Sequence, residues 1–551
     1  MISREANLSR LREGPLDVLI LGGGINGAGI ARDLALRSRR AKVDLRIGLV
    51  EQRHFASGTS GKNSQLIHGG LRYLKSLEFR LVSESLRERA TLLEIAPHLV
   101  NPQPFLIPMY GWSARLLYGT GLAIYDALSG ARALQRHRSL TREEVARVEP
   151  ELSTEHLTSG AIFFDARVHS ARFVLENIFD AARHGAIVVN YARAESIGDQ
   201  AVKVQDSLTG QSFEVRARKI VDATGPWEGA DALRLVRGSH IVLPRLNRSE
   251  NAIAYFEPSG RIVFVIPWGE RRDLSLVGTT DVDHTTGPED VRISPEEIGY
   301  LLGIVKRLYP RSGELRPISA FSSLRPLVRE HSSSPTKASR GHRIWNSADG
   351  VLHVSGGKYT TYRAMSEEAV DKIAPELAHI RETATVPLGG NSRDKIDSLL
   401  ASAPQIAAEH GLPEDDVVRV IGLYGVQTDS LLSFLPTDWW GGPPGPQPAP
   451  RPASYASPQR PTGASAADQG VRPTSPLSRL ERARIIFAVE HEMAQRLPDL
   501  MFVSTYWGYE ARWTKDTLAP YAAEMGNRLS WNANRIEQEI SLTLQILRSS
   551  S

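Results

Sequence analysis

The sequence predicts an α/β chain: a Rossmann-like parallel sheet of the two-dinucleotide type, an antiparallel-sheet substrate layer and a helical C-terminal region. Three observations predict it. An apolar strand, "LDVLILGGG" (16–24), runs into a helix-like "INGAGIARDLALRS" and then a second strand, "LRIGLVE" (45–51), the order of a parallel strand–helix–strand unit. From about 236 to 290 the pattern turns to short alternating strands, "GSHIVLP", "RIVFVIPW" and "LSLVGTTD", as in an antiparallel sheet. From about 393 onward the periodicity is helical.

Composition bounds the function classes. The chain has 551 residues, 41% apolar and 23% charged, enough to bury a large core in two or more domains. A net charge of +4, with basic residues scattered among acidic ones, indicates no nucleic-acid footprint. The absence of cysteine removes disulfides, thiolate catalysis and Cys-ligated metals, and no paired His/carboxylate motif suggests a metal site. The start, "MISREANLSRLREG", has an early Glu and no apolar core, so it reads as neither signal peptide nor span. No later run approaches the roughly 18 apolar residues of a spanning helix, which leaves peripheral contact as the expected mode of any membrane association. Residues 441–476 hold 10 of the 33 prolines and almost no large aliphatic residue; they read as a disordered linker or insertion.

At the end of the first strand, Gly22, Gly24 and Gly27 form Gly-x-Gly-x-x-Gly, which permits a tight turn and lets a pyrophosphate approach backbone amides at a helix N-terminus. Glu51 ends the second strand, where a carboxylate accepts hydrogen bonds from an adenosine ribose. Nicotinamide and flavin cofactors share this pattern. Two later segments favour FAD: "KIVDATGPW" (219–227), a strand ending in Ala223-Thr224-Gly225, and "GVLHVSGGKYTTYR" (350–363), a late strand opening through a glycine pair into a helix. A helix so placed directs its positive end at the flavin pyrimidine and stabilises the negative charge of the reduced ring.

The segments "GGGINGAGIARDLALR", "GTSGKNSQLIHGGLRYL", "FRLVSESLRERATLLEIAPHLV", "DATGPW", "GSHIVLPR", "RIVFVIPW", "VGTTDVD", "SSLRPL" and "SGGKYTTYR" occur in the order and spacing of one family, and the chain resembles the FAD-dependent glycerol-3-phosphate dehydrogenases over roughly residues 15–390. Beyond that, "HEMAQRLPDL" and "SWNANRIEQEI" are similar to the family's helical C-terminal domain. The resemblance implies oxidation of sn-glycerol 3-phosphate to dihydroxyacetone phosphate, with electrons leaving FAD for a membrane quinone. It implies a cofactor set of Gly22, Gly23, Gly24, Asn26, Gly27, Glu51, Gln52, Thr59, Ser60, Ala223, Thr224, Gly225, Gly356, Gly357, Lys358, Tyr359 and Thr360. It also implies a cytoplasmic protein, peripheral on the cytoplasmic face of the inner membrane; a homodimer is compatible with it.

"LIHGGLRYL" (66–74) takes its meaning from this chemistry. A phosphorylated alcohol needs cationic forks for its dianion, a base at the hydroxyl being oxidised, and glycines that let the chain lie against a flat ring. His68 is the expected group for hydroxyl polarisation or proton removal, and Arg72 is expected to face the phosphate. The resemblance adds Arg325 and Arg340 as phosphate ligands and Tyr73, Thr280 and Lys358 as pocket residues; His68, Arg72, Arg325 and Lys358 form the expected catalytic set. The chain departs from the family at Gln65, where a lysine is expected before "LIHGG" while Lys62 lies three residues earlier, and at "FVSTYWGYEARW", which replaces a more charged, Arg-rich helix.

The expected division places the FAD-binding domain at 15–95, 155–235 and 315–375, the substrate domain at 96–154 and 236–314, and the helical domain at 385–440 and 477–551. Alternative activities on this fold are a glycerol-3-phosphate oxidase passing electrons to oxygen and an amine or amino-acid oxidase. The latter would use carboxylate-binding and aromatic groups in place of arginines around a phosphate.

Overall fold

A computed structural model describes residues 3–71, 73, 78–198, 200–227, 233–257, 260–328, 341–436 and 477–548; the linker expected at 441–476 lies outside them. The first strand, Leu16–Leu21, sits inside a parallel sheet between Ile47–Val50 and Ser212–Asp222. Ile187–Val189 extends the sheet on one side and Leu352–Gly356 on the other, where His342–Asn346 closes the edge antiparallel. The apolar run of the first strand follows from cover on both faces. Val18 and Ile20 pack with Ile30, Ala31 and Leu34 of the helix Ile25–Ala41, while Leu19 and Leu21 pack with Leu11, Val202 and Val204 on the opposite side. Leu11 belongs to an N-terminal helix, Arg4–Arg12, which is held by polar contacts: Arg4 pairs with Asp206 at 2.8 Å, and the Asn7 amide donates to Val188 O at 2.9 Å.

A second, ten-stranded sheet contains Val100–Tyr110, paired antiparallel with Leu157–Val168 and parallel with Ala252–Phe256. Ile262–Trp268, Leu274–Gly278, Leu233–Pro244 and Ser319–Val328 continue it. Leu157–Val168 and Ser319–Val328 thus pair in this sheet, whereas the expected division grouped 155–235 and 315–375 with the nucleotide half. Leu157–Val168 lies along the whole of Val100–Tyr110, and Ser319–Val328 along nearly all of Leu233–Pro244, so backbone pairing ties both strands to this sheet.

Alternation divides the residues of this second sheet between two faces. Leu106, Ile241, Ile253, Tyr255, Val263 and Val265 meet the helix Pro295–Leu308, whose Leu301, Ile304, Val305 and Leu308 are buried, each contributing about 2 kcal/mol of apolar transfer. Phe105, Phe163, Ala254, Ile262 and Phe264 turn to the other face, toward the parallel sheet. Between the two sheets lies the cavity described below.

From 393 the chain is helical as expected: Arg393–Ala401, Ala403–His410, Glu414–Tyr424, Arg479–His491, Lys515–Leu529 and Ala533–Arg548. The segment "FVSTYWGYEARW" reaches back to the nucleotide side: the Tyr506 hydroxyl donates to Gly61 O at 2.6 Å and accepts from Ala171 N at 3.1 Å. Among the described residues no helix is long and apolar enough to cross a membrane, and no His/Asp/Glu cluster suits a metal ion.

Candidate active site

A cavity of about 750 Å³ runs from the glycine turn after the first strand to the inner face of the antiparallel sheet. At its nucleotide end the fingerprint glycines have distinct reasons to lack a side chain. Gly22 has φ +105°, and a Cβ there would lie 2.6 Å from Ala223 O on the neighbouring parallel strand. A Cβ on Gly23 would meet the Phe55 ring at 2.6 Å, and one on Gly27 would collide with Gly22 O. These three positions serve close packing of strand, turn and helix. Gly24 differs: like Gly22 it lines the cavity, but a Cβ there would meet only Ser60 Oγ, at 3.1 Å. Ser60 Oγ in turn accepts from Ile25 N at 2.9 Å, at the first turn of Ile25–Ala41.

Glu51 lines the same end, accepting from Gly23 N at 2.7 Å and from Arg53 N at 2.9 Å. Burial pushes its carboxyl above the usual carboxylate range, against the pull of those amides. Gln52, Asn26 and Thr59 also line the wall, and Thr59 Oγ1 is tied to Leu324 O at 2.6 Å. Ala223, Thr224 and Gly225 close it from the returning strand, with Thr224 Oγ1 donating to Asp222 at 2.6 Å. Gly356 and Gly357, both at positive φ (+77° and +79°), turn the late strand so that Lys358 and Tyr359 face the cavity before the helix Tyr362–Ile373 begins. The residues present therefore fit a dinucleotide: a cradle that a Cβ at Gly24 would narrow, a half-buried carboxylate at the end of the second strand, and a glycine turn at the far end.

The "LIHGGLRYL" loop carries the other end. A Cβ on Gly69 would strike the Tyr125 hydroxyl and approach Leu86 Cδ2 to 2.5 Å, and Gly70, at φ +84°, lies against the Tyr73 ring. The Gly69 amide is bound to Tyr125 OH at 3.0 Å and Asp165 Oδ1 at 3.2 Å, and Arg89 pairs with Asp165 at 2.6 Å, all three side chains buried. Sequence reasoning did not single out Asp165, Tyr125 or Arg89: each sits in an ordinary apolar-alternating segment, and only the fold brings them to one amide. His68 follows from this anchoring. It lines the cavity, and its main chain is clasped by Thr360, whose side chain is buried on the loop and does not reach the cavity wall.

Lys358 Nζ donates to Ser85 Oγ at 3.0 Å and stands 3.9 Å above the centre of the Tyr73 ring. Arg325 lines the cavity above Gly238, whose missing side chain makes room for the guanidinium. It is oriented by Thr279 Oγ1 at 2.7 Å, Thr280 O at 3.1 Å and Asp281 Oδ1 at 2.8 Å. Thr279, one residue before the expected Thr280, is the threonine on the wall. The Thr280 hydroxyl points away, donating to Glu297 Oε1 at 2.6 Å at the start of the covering helix. Arg72 and Arg340 lie outside the described residues. Opposite these polar groups the wall is aromatic: Phe105, Phe163, Phe256 and Phe264, with Phe105 and Phe163 stacked at 5.1 Å. Ser64 adds a polar link to the buried His240 Nε2 at 2.8 Å; burial, reinforced by Arg325, pushes that imidazole down to about 3, so it stays neutral.

Comparison with known proteins agrees with this geometry. The family model for FAD-dependent oxidoreductases (DAO) matches residues 17–365. The chain is 31% identical over 467 residues to the aerobic glycerol-3-phosphate dehydrogenase of Staphylococcus aureus (strain USA300), covering 79% of this chain and 82% of that one. It is similar along its whole length to the structure of the glycerol-3-phosphate dehydrogenase from Bacillus halodurans complexed with FAD, at TM-score 0.75 and 26% identity, with 98% of that chain covered. The L-alpha-glycerophosphate oxidase of Mycoplasma pneumoniae shares the fold, at TM-score 0.52 and 21% identity over 68% of this chain. With a nucleotide cradle, a cation-bearing far end and relatedness over most of both chains in agreement, the chain belongs to the FAD-dependent oxidoreductases and, among them, to the aerobic glycerol-3-phosphate dehydrogenase family.

Proposed function

We propose that the protein oxidises sn-glycerol 3-phosphate to dihydroxyacetone phosphate and passes the electrons to a quinone. The observation that carries this reading is the convergence of His68, Lys358 and Arg325, from three distant segments, on one cavity whose other end is the Gly24–Glu51 cradle. Bound FAD supplies the acceptor for the hydride that leaves C2 of the substrate. The chain's own residues do the rest. Arg325, pre-oriented by Thr279 and Asp281, holds a phosphate oxygen as a charge-assisted donor. His68 takes or polarises the proton of the C2 hydroxyl as the hydride departs, so that the substrate loses one proton and one hydride and becomes a ketone. Lys358, steadied by Ser85 and Tyr73, places its positive charge beside the same loop. The quinone gains two electrons and two protons.

The test is the absorbance spectrum of the purified protein under anaerobic conditions. Addition of sn-glycerol 3-phosphate should bleach the flavin band, and a short-chain quinone should restore it faster than oxygen does. A band indifferent to glycerol 3-phosphate sinks the substrate reading; faster recovery with oxygen, accompanied by peroxide, would make the protein an oxidase.

A further inference from the structure

A second cavity, of about 330 Å³, backs onto the nucleotide end of the first. Four segments line it: the loop after the second strand at 53–62, the turn at 288–293, residues 321–324 of the strand Ser319–Val328, and the last turns of the helix Ala533–Arg548. Arg53, Ser57, Gly58, Thr59 and Trp227 border both cavities, so one layer of residues separates them. The proposed reaction makes no use of this space.

The charges around it do not balance. Three cations, Arg53, Lys62 and Arg292, line the cavity against a single carboxylate, Glu289. Glu289 is already engaged: it pairs with Arg53 and accepts from Trp227 Nε1 at 2.7 Å. Among the described residues, neither Lys62 Nζ nor the Arg292 guanidinium has a hydrogen bond or an ion pair. Lys62 is half-buried, and burial, with Arg53 nearby, pushes its ammonium from the ordinary 10.5 down to about 8. Its main chain is fixed, since Ser323 Oγ donates to Lys62 O at 2.6 Å and Lys62 N donates to Thr59 O at 3.3 Å. An ammonium so held, partly desolvated and without a counter-charge, is stabilised by an anion placed beside it.

The rest of the lining decides what carries the anion. Phe321, Leu324 and Ile293 are buried in its wall, and Leu542 and Ile546 of the C-terminal helix are half-buried on it. At about 30 Å³ for each water-sized group, the volume admits roughly ten non-hydrogen atoms. A bare inorganic ion would leave the apolar wall uncovered, and a neutral hydrocarbon would leave Lys62 without a counter-charge. A small molecule with an anionic head and an apolar body meets both demands.

We propose that this second cavity is an effector site for a small amphiphilic anion, a carboxylate or phosphate group on an apolar body of roughly six to eight carbons, with Lys62 as its central cation. The head group lies among Lys62, Arg53 and Arg292, and the body against Phe321, Leu542 and Ile546. A ligand so placed braces the 53–62 loop and Trp227, whose other side is the wall of the nucleotide end, and so slows the release of FAD. By reciprocity, bound FAD tightens the hold on the anion.

The test uses the full-length holoenzyme, with octanoate and phenyl phosphate as probes and with inorganic phosphate and 1-octanol as the head and the body alone. Labelling with acetic anhydride, read by peptide mass spectrometry, reports on Lys62 directly. Octanoate or phenyl phosphate should slow the labelling of Lys62 by about tenfold or more, at concentrations where inorganic phosphate and octanol have no effect, and the stronger protector identifies the head group. In calorimetry, Lys62→Gln should weaken binding of that probe by about tenfold or more, and Leu542→Trp, which fills the cavity, should abolish it, both at unchanged flavin content. The probe should also slow flavin release on dilution, read as the fluorescence of freed FAD, by about threefold or more, and should do so in neither variant. Lys62 labelled equally with and without both probes overturns the proposal, as does full binding in Lys62→Gln, which would place the probe in the larger cavity. Equal protection by inorganic phosphate overturns it too, reducing the site to an adventitious ion only. Flavin release unchanged by a probe that protects Lys62 overturns the effector role. No readout uses glycerol 3-phosphate, so these results stand apart from the substrate reading.

Discussion

Thr360 Oγ1 accepts a hydrogen bond from His68 N at 3.2 Å and returns one to His68 O at 3.3 Å, across 292 residues of sequence. The late glycine turn therefore does more than present Lys358: it sets the height of the loop that carries the expected base.

Thr360→Val keeps the shape and removes both bonds, worth about 1 kcal/mol each. Flavin should remain bound, while the anaerobic rate of flavin reduction by glycerol 3-phosphate should fall about tenfold because the histidine shifts. Thr360→Ser, which restores the hydroxyl, should recover most of the rate. Rates equal for Val and Ser would show that the clasp is incidental.

The fingerprint glycines should separate by phenotype. Gly24→Val should yield a folded protein without flavin, since its side chain enters the cavity beside Ser60. Gly27→Ala, which collides with Gly22 O, should lower the melting temperature of flavin-depleted protein as well. Full flavin occupancy in Gly24→Val would remove the cavity's nucleotide end from the argument.

Arg325 and His68 should divide affinity from rate. Arg325→Ala removes a charge-assisted contact of roughly 2 kcal/mol and should raise the KM for glycerol 3-phosphate at least tenfold, with the rate on unphosphorylated glycerol almost unaffected. His68→Ala should slow flavin reduction by about 100-fold at unchanged flavin content.

Stability should fall in mild acid. Burial, with Arg172 and Arg484 nearby, pushes His169 from its ordinary 6.5 down to about 3. Above about pH 6.5 neither the folded nor the unfolded chain is protonated there. Below it the unfolded chain takes up a proton that the folded chain refuses, so stability is lost as pH falls, at about 1.4 kcal/mol per pH unit for each such group. His98 and His240 behave alike. His169 Nδ1 accepts from Arg172 N at the start of Ser170–Arg183, a capping role that asparagine also performs. His169→Asn should therefore flatten the unfolding free energy between pH 6 and 4 by about one proton; an unchanged slope would mean the histidine is charged in the folded state.

How much of this was legible depended on whether the signal was local. The glycines and Glu51 lie within one strand–helix–strand unit, and the late glycine pair within another, so their signal is local. Thr279 and Thr280 show the limit. Neighbours on an extended segment point to opposite sides, and nothing in "VGTTD" says which threonine meets the cavity until Ser239 and Glu297 are seen to occupy the second. The Arg89–Tyr125–Asp165 cluster was beyond reach for another reason: its members lie on two helices and a strand, and Asp165 stands in "AIFFDARV", where an inward acid looks like any polar position of a strand. The helix Arg4–Arg12 offers only Leu8 and Leu11 to the core and is fixed as well by Arg4 and Asn7, contacts that hydrophobic periodicity does not register.

Gly69 and Gly70 are adjacent, yet the obstacles to enlarging them are unrelated. Alanine at 69 meets the Tyr125 hydroxyl and Leu86, both side chains. Alanine at 70 meets the Tyr73 ring and a left-handed backbone, φ +84°. In a genetic selection the two lesions should part company. An alanine allele at 69 should yield second-site suppressors, such as Tyr125→Phe or Leu86→Val, that clear space from outside the loop. An allele at 70 should revert only to glycine, because no substitution elsewhere can repair a torsion angle.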